Sequence, residues 1–239
     1  MTKELKIIGA PDSHDTLLRV LKARSPCRIL DAPAGTGVLA ERLNSWGYEV
    51  HCADIDTGNF KLGDIPLTQV DLNDRVDLPS ESFNAVVCAN GVHRLYNLRN
   101  CFHEFFRLLK PGGMLWINVN NYASIDRRFR FLLYGSLDNA VNDPHCNQTI
   151  DVPQANVRIA LHIPYIVNQL EAAGFELVSI RPAAVRRIDR LLAPFGWLLR
   201  WLSYLVPSNS RRRNHIKWTG CSGVLPGGRY MLIEARRSQ

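Results

Sequence analysis

Residues 29–37 read Ile-Leu-Asp-Ala-Pro-Ala-Gly-Thr-Gly, an apolar strand that ends in a carboxylate and enters a glycine turn. A second apolar run ends in another carboxylate, Asp54, 17 positions after Gly37. Strand, turn, helix and strand in so short a span leave few folds open, because two neighbouring strands joined through a helix run parallel. Glycines in the turn let the backbone approach a ligand where a Cβ would collide. A carboxylate closing the second strand is placed to accept hydrogen bonds from ribose hydroxyls, so the pair points to an adenosine-containing ligand.

The rest of the chain repeats the alternation. Residues 13–24 have Leu17, Leu18 and Leu21 on one helical face, with Ser13 as expected N-cap and Pro26 as stop. Strands are expected at Cys27–Ala32, Tyr48–Ala53, Leu67–Asp71, Phe83–Ala89, Met114–Val119, Phe175–Arg181 and Arg229–Ala235. Phe83–Ala89, apolar apart from Asn84, is a run of the kind buried on both faces. Helices are expected at Val38–Trp46, Leu98–Leu109 and Ile163–Ala173, the second closed by Lys-Pro-Gly-Gly. The fold class is therefore α/β, a Rossmann-like doubly wound, mostly parallel seven-stranded sheet with an antiparallel last strand and helical insertions. At 239 residues the chain makes one domain, with a core at about 27–120 and insertions at 120–160 and 182–228.

With these elements placed, the chain resembles the class I S-adenosylmethionine-dependent methyltransferases, in the small-molecule group called type 11. The resemblance covers about residues 27–181. It rests on the turn Asp31-Ala-Pro-Ala-Gly-Thr-Gly37, on Asp54, on the Asp71-Leu72 pair and on Leu-Lys-Pro-Gly-Gly-Met-Leu at 109–115. In the family pattern acid-x-Gly-x-Gly-x-Gly the first glycine falls at Pro33, which stiffens the turn. The cofactor implied is S-adenosyl-L-methionine. By the resemblance, Asp31 orients the turn and reaches the amino-acid end of the cofactor, while Ala32, Pro33, Ala34, Gly35 and Gly37 pass beneath it. Asp54 holds the ribose diol and Ile55 packs on adenine. Asp71 and the Leu72 amide bond the adenine edge, and Asn90 contacts the methionine portion.

A dinucleotide dehydrogenase competes for the same turn, but Ala40 stands where its third glycine belongs and no separate substrate domain follows. Methyl transfer needs a nucleophile held in line with the S–CH3 bond and, for a hydroxyl or protonated amine, a base. His93, just past the fourth strand, is the candidate base, against a purely structural role. Tyr122 and Arg127 are candidate lining for the acceptor pocket, by position alone. No ligand-spaced cluster calls for a metal.

The net charge of +7 is unevenly spread. Residues 1–120 carry 13 Lys/Arg against 14 Asp/Glu, and residues 181–239 carry 12 against 2. That basic quarter contains an apolar stripe over 188–206, including Leu191, Leu192, Phe195, Leu198, Leu199 and Leu202, flanked by Trp197, Trp201, Arg187, Arg190 and Arg200. One helix is expected there, either packed on the sheet, forming a dimer contact, or lying on an anionic membrane. A membrane role fits a lipid-linked acceptor; otherwise a small molecule is expected. Nucleic acid is disfavoured by the lack of interleaved aromatics and of any RNA-binding module. An RNA methyltransferase and a non-catalytic cofactor-binding partner remain the alternatives. The six scattered cysteines and the lack of an apolar leader at Met1–Lys6 point to the cytoplasm, peripheral to the membrane if the stripe binds it, as monomer or homodimer.

Overall fold

The computed structural model describes Leu5, residues 13–135 and residues 159–239. Most of the first insertion, and Cys146, lie outside the described residues. Seven strands form one sheet: β1 (Arg28–Asp31), β2 (Glu49–Asp54), β3 (Leu67–Gln69), β4 (Phe83–Ala89), β5 (Leu109–Asn120), β6 (Phe175–Ala183) and β7 (Tyr230–Arg237). Their spatial order is β3-β2-β1-β4-β5-β7-β6. The pairs among the first five strands are parallel, and β7 enters antiparallel between β5 and β6. Strand order reverses between β1 and β4, which opens a crevice at their carboxyl ends.

Helices cover both faces because consecutive strand residues point to opposite sides and both sides are apolar. α1 (Asp15–Lys22) and α2 (Val38–Ser45) pack with Ile29, Val87 and Trp116 on one face. α3 (Leu98–Leu108) and α5 (Ile163–Ala172) pack with Leu30, Val86 and Ile117 on the other. Burial leaves the core cysteines chemically quiet: the Cys88 thiol is pushed up to about 12, chiefly by desolvation.

Three local expectations change. Ser13 does not cap α1; His14 stands at the cap position and its side chain bonds no backbone N–H there. The Ser13 carbonyl and hydroxyl are taken instead by Asn118 and Asn90, so contacts to the sheet end win over local capping. β5 begins at Leu109 rather than Met114, because Leu109 already pairs with Phe83 and Lys110–Gly113 bulge, with Gly112 at φ 75°, before Met114 pairs with Ala85. The single helix expected at 188–206 is broken. α6 (Arg187–Leu191) and α7 (Ala193–Leu202) meet at Leu192, and a 3-10 turn follows at Ser203–Leu205. Pro194 has no N–H to continue a helix but suits the first turn of a new one. α4 (Ile125–Tyr134) runs from the end of β5, and α8 (Ser208–Arg213) and α9 (Ile216–Thr219) complete the second insertion.

Candidate cofactor and acceptor site

The carboxyl ends of β1, β4 and β5 bring a set of polar groups under the start of α1. Asp31 is 1% exposed, and neither of its carboxylate oxygens has a hydrogen-bond partner. Burial, and secondarily the charge of Asp54, pushes its pKa well above the ordinary carboxylate range. Asn90 follows β4 in the left-handed region at φ 57°, a conformation asparagine tolerates better than most residues. Its backbone N–H donates to the Asn118 carbonyl at 2.9 Å, and its side-chain amide donates to the Ser13 hydroxyl at 3.4 Å. Asn118, in β5, donates its side-chain amide to the Ser13 carbonyl at 2.5 Å. The side-chain oxygens of Asn90 and Asn118 are buried and unpartnered, as is Nδ1 of His14, whose pKa burial lowers. The oxygens left over are all acceptors. Buried acceptors without donors are costly, so the arrangement suits a ligand that supplies N–H groups and positive charge.

The glycine turn is tied to the end of β2. The Ala34 N–H donates to the Ala53 carbonyl at 3.0 Å, and the Gly35 N–H donates to Asp54 Oδ2 at 2.7 Å. Asp54 Oδ1 accepts from the Asp56 N–H at 2.9 Å. Desolvation raises the Asp54 pKa while these N–H bonds oppose it. Asp54 thus braces the turn, besides any role toward a ribose. Gly35 and Gly37 both have positive φ, 54° and 90°. A Cβ on Gly37 would lie 2.8 Å from Leu62 Cδ1 and 3.0 Å from Phe60, so two of the chain's own side chains fill the space that its missing side chain leaves. The Ala32–Pro33 bond is cis, and Pro33 packs on Gly91, where a Cβ would stand 2.3 Å from Pro33 Cδ. Gly91→Ala is therefore expected to destabilise the fold by about 1–3 kcal/mol and to disturb the turn. A denaturant titration with a parallel ligand titration measures both effects.

Asp71 Oδ1 accepts from the Asn73 backbone at 2.9 Å and from its side-chain amide at 2.8 Å, forming an Asx turn that exposes part of the carboxylate. Leu72 is buried and Ile55 half-buried. On the other side of the β5 end, Tyr122 and Arg127 are brought together: the guanidinium lies 4.7 Å from the ring centroid and both residues are buried. His93 follows β4 on the 3-10 turn Val92–Arg94, as its position implied, but it is 5% exposed rather than open at the rim. Its carbonyl accepts from the Ile159 N–H at 2.8 Å. Ser13, His14 and Asn118 are missing from the sequence-derived site. Asn118 carried a signal, being a polar residue inside the apolar run Met-Leu-Trp-Ile-Asn-Val. Among the described residues no group of three His, Cys, Asp or Glu side chains could hold a metal ion.

Residues 30–117 match a protein family described as a methyltransferase domain. That stretch is roughly a third of the chain, and over it the chain is similar to a methyltransferase domain. A demethylmenaquinone methyltransferase of Clavibacter sepedonicus is 34% identical over 116 residues, 44% of this chain and 47% of that protein. A glycine/sarcosine N-methyltransferase of Halorhodospira halochloris is 30% identical over 132 residues, 48% of each chain. The chain thus spans about half the length of the curated relatives it matches. A crystal structure of an S-adenosylmethionine-dependent methyltransferase from Archaeoglobus fulgidus superposes with a TM-score of 0.60 at 17% identity, covering 94% of this chain and 92% of that one. The acceptor oxygens of Asp31, Asn90 and Asn118 match the ammonium group of S-adenosylmethionine, whose adjacent carboxylate would need donors from elsewhere.

Proposed function

We propose that this chain transfers a methyl group from S-adenosyl-L-methionine to a small-molecule acceptor of amphiphilic, lipid-linked type. The observation that supports the cofactor half of this reading is the set of buried, unpartnered acceptor oxygens of Asp31, Asn90 and Asn118 at the carboxyl ends of β1, β4 and β5. The cofactor supplies an electrophilic methyl carbon on a positively charged leaving group. Asp31 faces the ammonium group, with the Asn90 and Asn118 oxygens accepting beside it. Asp54, already fixed by two backbone N–H groups, accepts from the ribose diol through its remaining lone pairs, and Ile55 packs on adenine. Asp71 and the Leu72 N–H bond the adenine edge. The acceptor lies on the β5 side, against Tyr122 and Arg127.

For an acidic hydroxyl or a protonated amine, His93 removes the proton as the methyl group leaves sulfur. Base catalysis of this kind contributes roughly 100- to 10,000-fold. His93→Ala is thus expected to keep its affinity for S-adenosylhomocysteine while turnover falls by about 100-fold or more. Unchanged turnover assigns His93 to packing alone. Two relatives named for a quinone precursor and for glycine or sarcosine act on unlike acceptors, so the acceptor class rests on this chain's own surface. Transfer of label from methyl-labelled cofactor into the organic-soluble fraction of a membrane extract supports the lipid-linked acceptor. Label entering only water-soluble metabolites or RNA overturns it.

A further inference from the structure

Beyond the cofactor pocket, the largest feature without an assigned purpose is an apolar surface built from α4, α6 and α7. Leu132, Leu133 and Tyr134 on α4 and Leu191, Trp201 and Leu205 beyond it are each more than 60% exposed. These elements form one surface. Phe129 of α4 meets Phe195 of α7 edge to face, with ring centroids 6.0 Å apart. Beneath it, the Arg186 guanidinium bonds Asp126 of α4 at 2.9 Å and the fully buried Asp189 of α6 at 2.9 Å. The frame is polar and anchored on the buried Asp189, with Arg186 and Asp126 half-buried, while among the described residues the outer face is large, apolar and exposed. Monomeric soluble domains rarely leave such a face uncovered.

We propose that this face docks on an anionic lipid bilayer, lying in the headgroup region without crossing it. Three observations choose the bilayer. Cations stand directly on the exposed aromatics: the Arg200 guanidinium lies 5.7 Å from the Trp197 ring and that of Arg211 5.9 Å from Tyr204. Tryptophan and tyrosine with arginine beside aliphatic side chains is the composition of a helix seated at a lipid–water boundary. Residues 181–239 carry 12 Lys/Arg against 2 Asp/Glu, so pairing two copies through this face would set like charges together, whereas anionic headgroups neutralise them. Among the described residues no helix is long and apolar enough to cross a membrane. The platform also hangs from the site. α4 starts five residues past the end of β5 and carries Arg127, while its Ile125 N–H is held by the Leu225 carbonyl at 3.0 Å. A bilayer bound here delivers an amphiphilic acceptor beside Tyr122 and Arg127. That consequence rests on the proposed chemistry; docking itself does not.

The test is flotation of the full chain with vesicles of phosphatidylcholine containing 30% phosphatidylglycerol, without cofactor or acceptor. Most of the protein is expected to float at low salt and to be released by high salt, with little binding to pure phosphatidylcholine. Leu198→Asp with Trp201→Asp changes only exposed side chains and should reduce partitioning by at least about tenfold. Arg200→Gln, Arg211→Gln and Arg212→Gln together should weaken anionic binding on the order of 100-fold. Melting temperature and S-adenosylhomocysteine affinity stay at wild-type values in both variants, so a failed fold or a failed cofactor site is seen separately. Absence of flotation by wild type, or equal flotation by the apolar variant, overturns the proposal. So does a dimer in sedimentation that the apolar variant dissociates while vesicles bind neither form.

Discussion

Asp31→Asn is expected to weaken S-adenosylhomocysteine binding on the order of 100-fold, the scale of one charge-assisted hydrogen bond lost from a buried site. The ligand-free variant, by contrast, should melt at least as high as wild type at pH 8. The reason lies in the isolation of the carboxylate: it is fully buried, has no hydrogen-bond donor and faces the charge of Asp54. Its folded pKa lies above the unfolded value near 3.9. The folded state therefore binds the proton more tightly. The stabilisation is full below the unfolded pKa and is lost as pH rises through the folded one. Ligand-free wild type should accordingly gain stability on acidification from pH 8 toward pH 5, beyond any gain in Asp31→Asn, and saturating cofactor product should flatten the difference. Scanning fluorimetry across pH, paired with calorimetric titration, tests both halves. An Asn variant that binds normally would remove Asp31 from the cofactor site.

Arg107→Met is expected to destabilise the fold by about 3 kcal/mol, because removing one member of a mostly buried ion pair strands the other. Arg107 donates to both carboxylate oxygens of Glu104, to the Val76 carbonyl at 2.8 Å and to the Leu78 carbonyl at 2.9 Å. Glu104 also accepts from the Val76 N–H at 2.9 Å. One guanidinium therefore clamps the segment leading into β4 onto α3. In a domain of this size the loss corresponds to a melting point lower by roughly 6–12 °C. Desolvation pushes the Glu104 carboxyl up, but the Arg107 hydrogen bonds, the Val76 N–H and the nearby arginine charges together outweigh it and hold the carboxyl below its usual range. Its stabilisation is thus present above the unfolded pKa and lost as pH falls through the folded one. The gap between wild type and Arg107→Met should then narrow below about pH 4. Neither effect should alter cofactor affinity measured well below the melting transition.

Strand identities and sheet type were legible because they depend on periods of two and 3.6 residues and on glycine and proline, all local properties. Phe83–Ala89 read as a strand of the kind buried on both sides, and it is a strand buried at Phe83 and Ala85–Cys88. The turn at 31–37 and the acid at 54 were legible for the same reason. What was illegible had long-range causes. Ser13 looked like a helix cap until two side chains 77 and 105 residues away claimed it. His93 was placed as a candidate base by its position after β4, but its burial at 5% exposure was decided by what packs on top.

By itself the amino-acid sequence determined a mostly parallel sheet, the glycine turn, the carboxylates at 31 and 54 and the basic apolar tail, because each follows from side-chain type and spacing along the chain. Only the tertiary structure decided that Asp31, Asn90 and Asn118 present unmatched acceptors together, that Asp54 braces the turn, and that the 188–206 stripe breaks at Leu192 and faces outward with α4. Those outcomes depend on which buried groups find partners across the sheet, and partners far apart in the chain are chosen by packing.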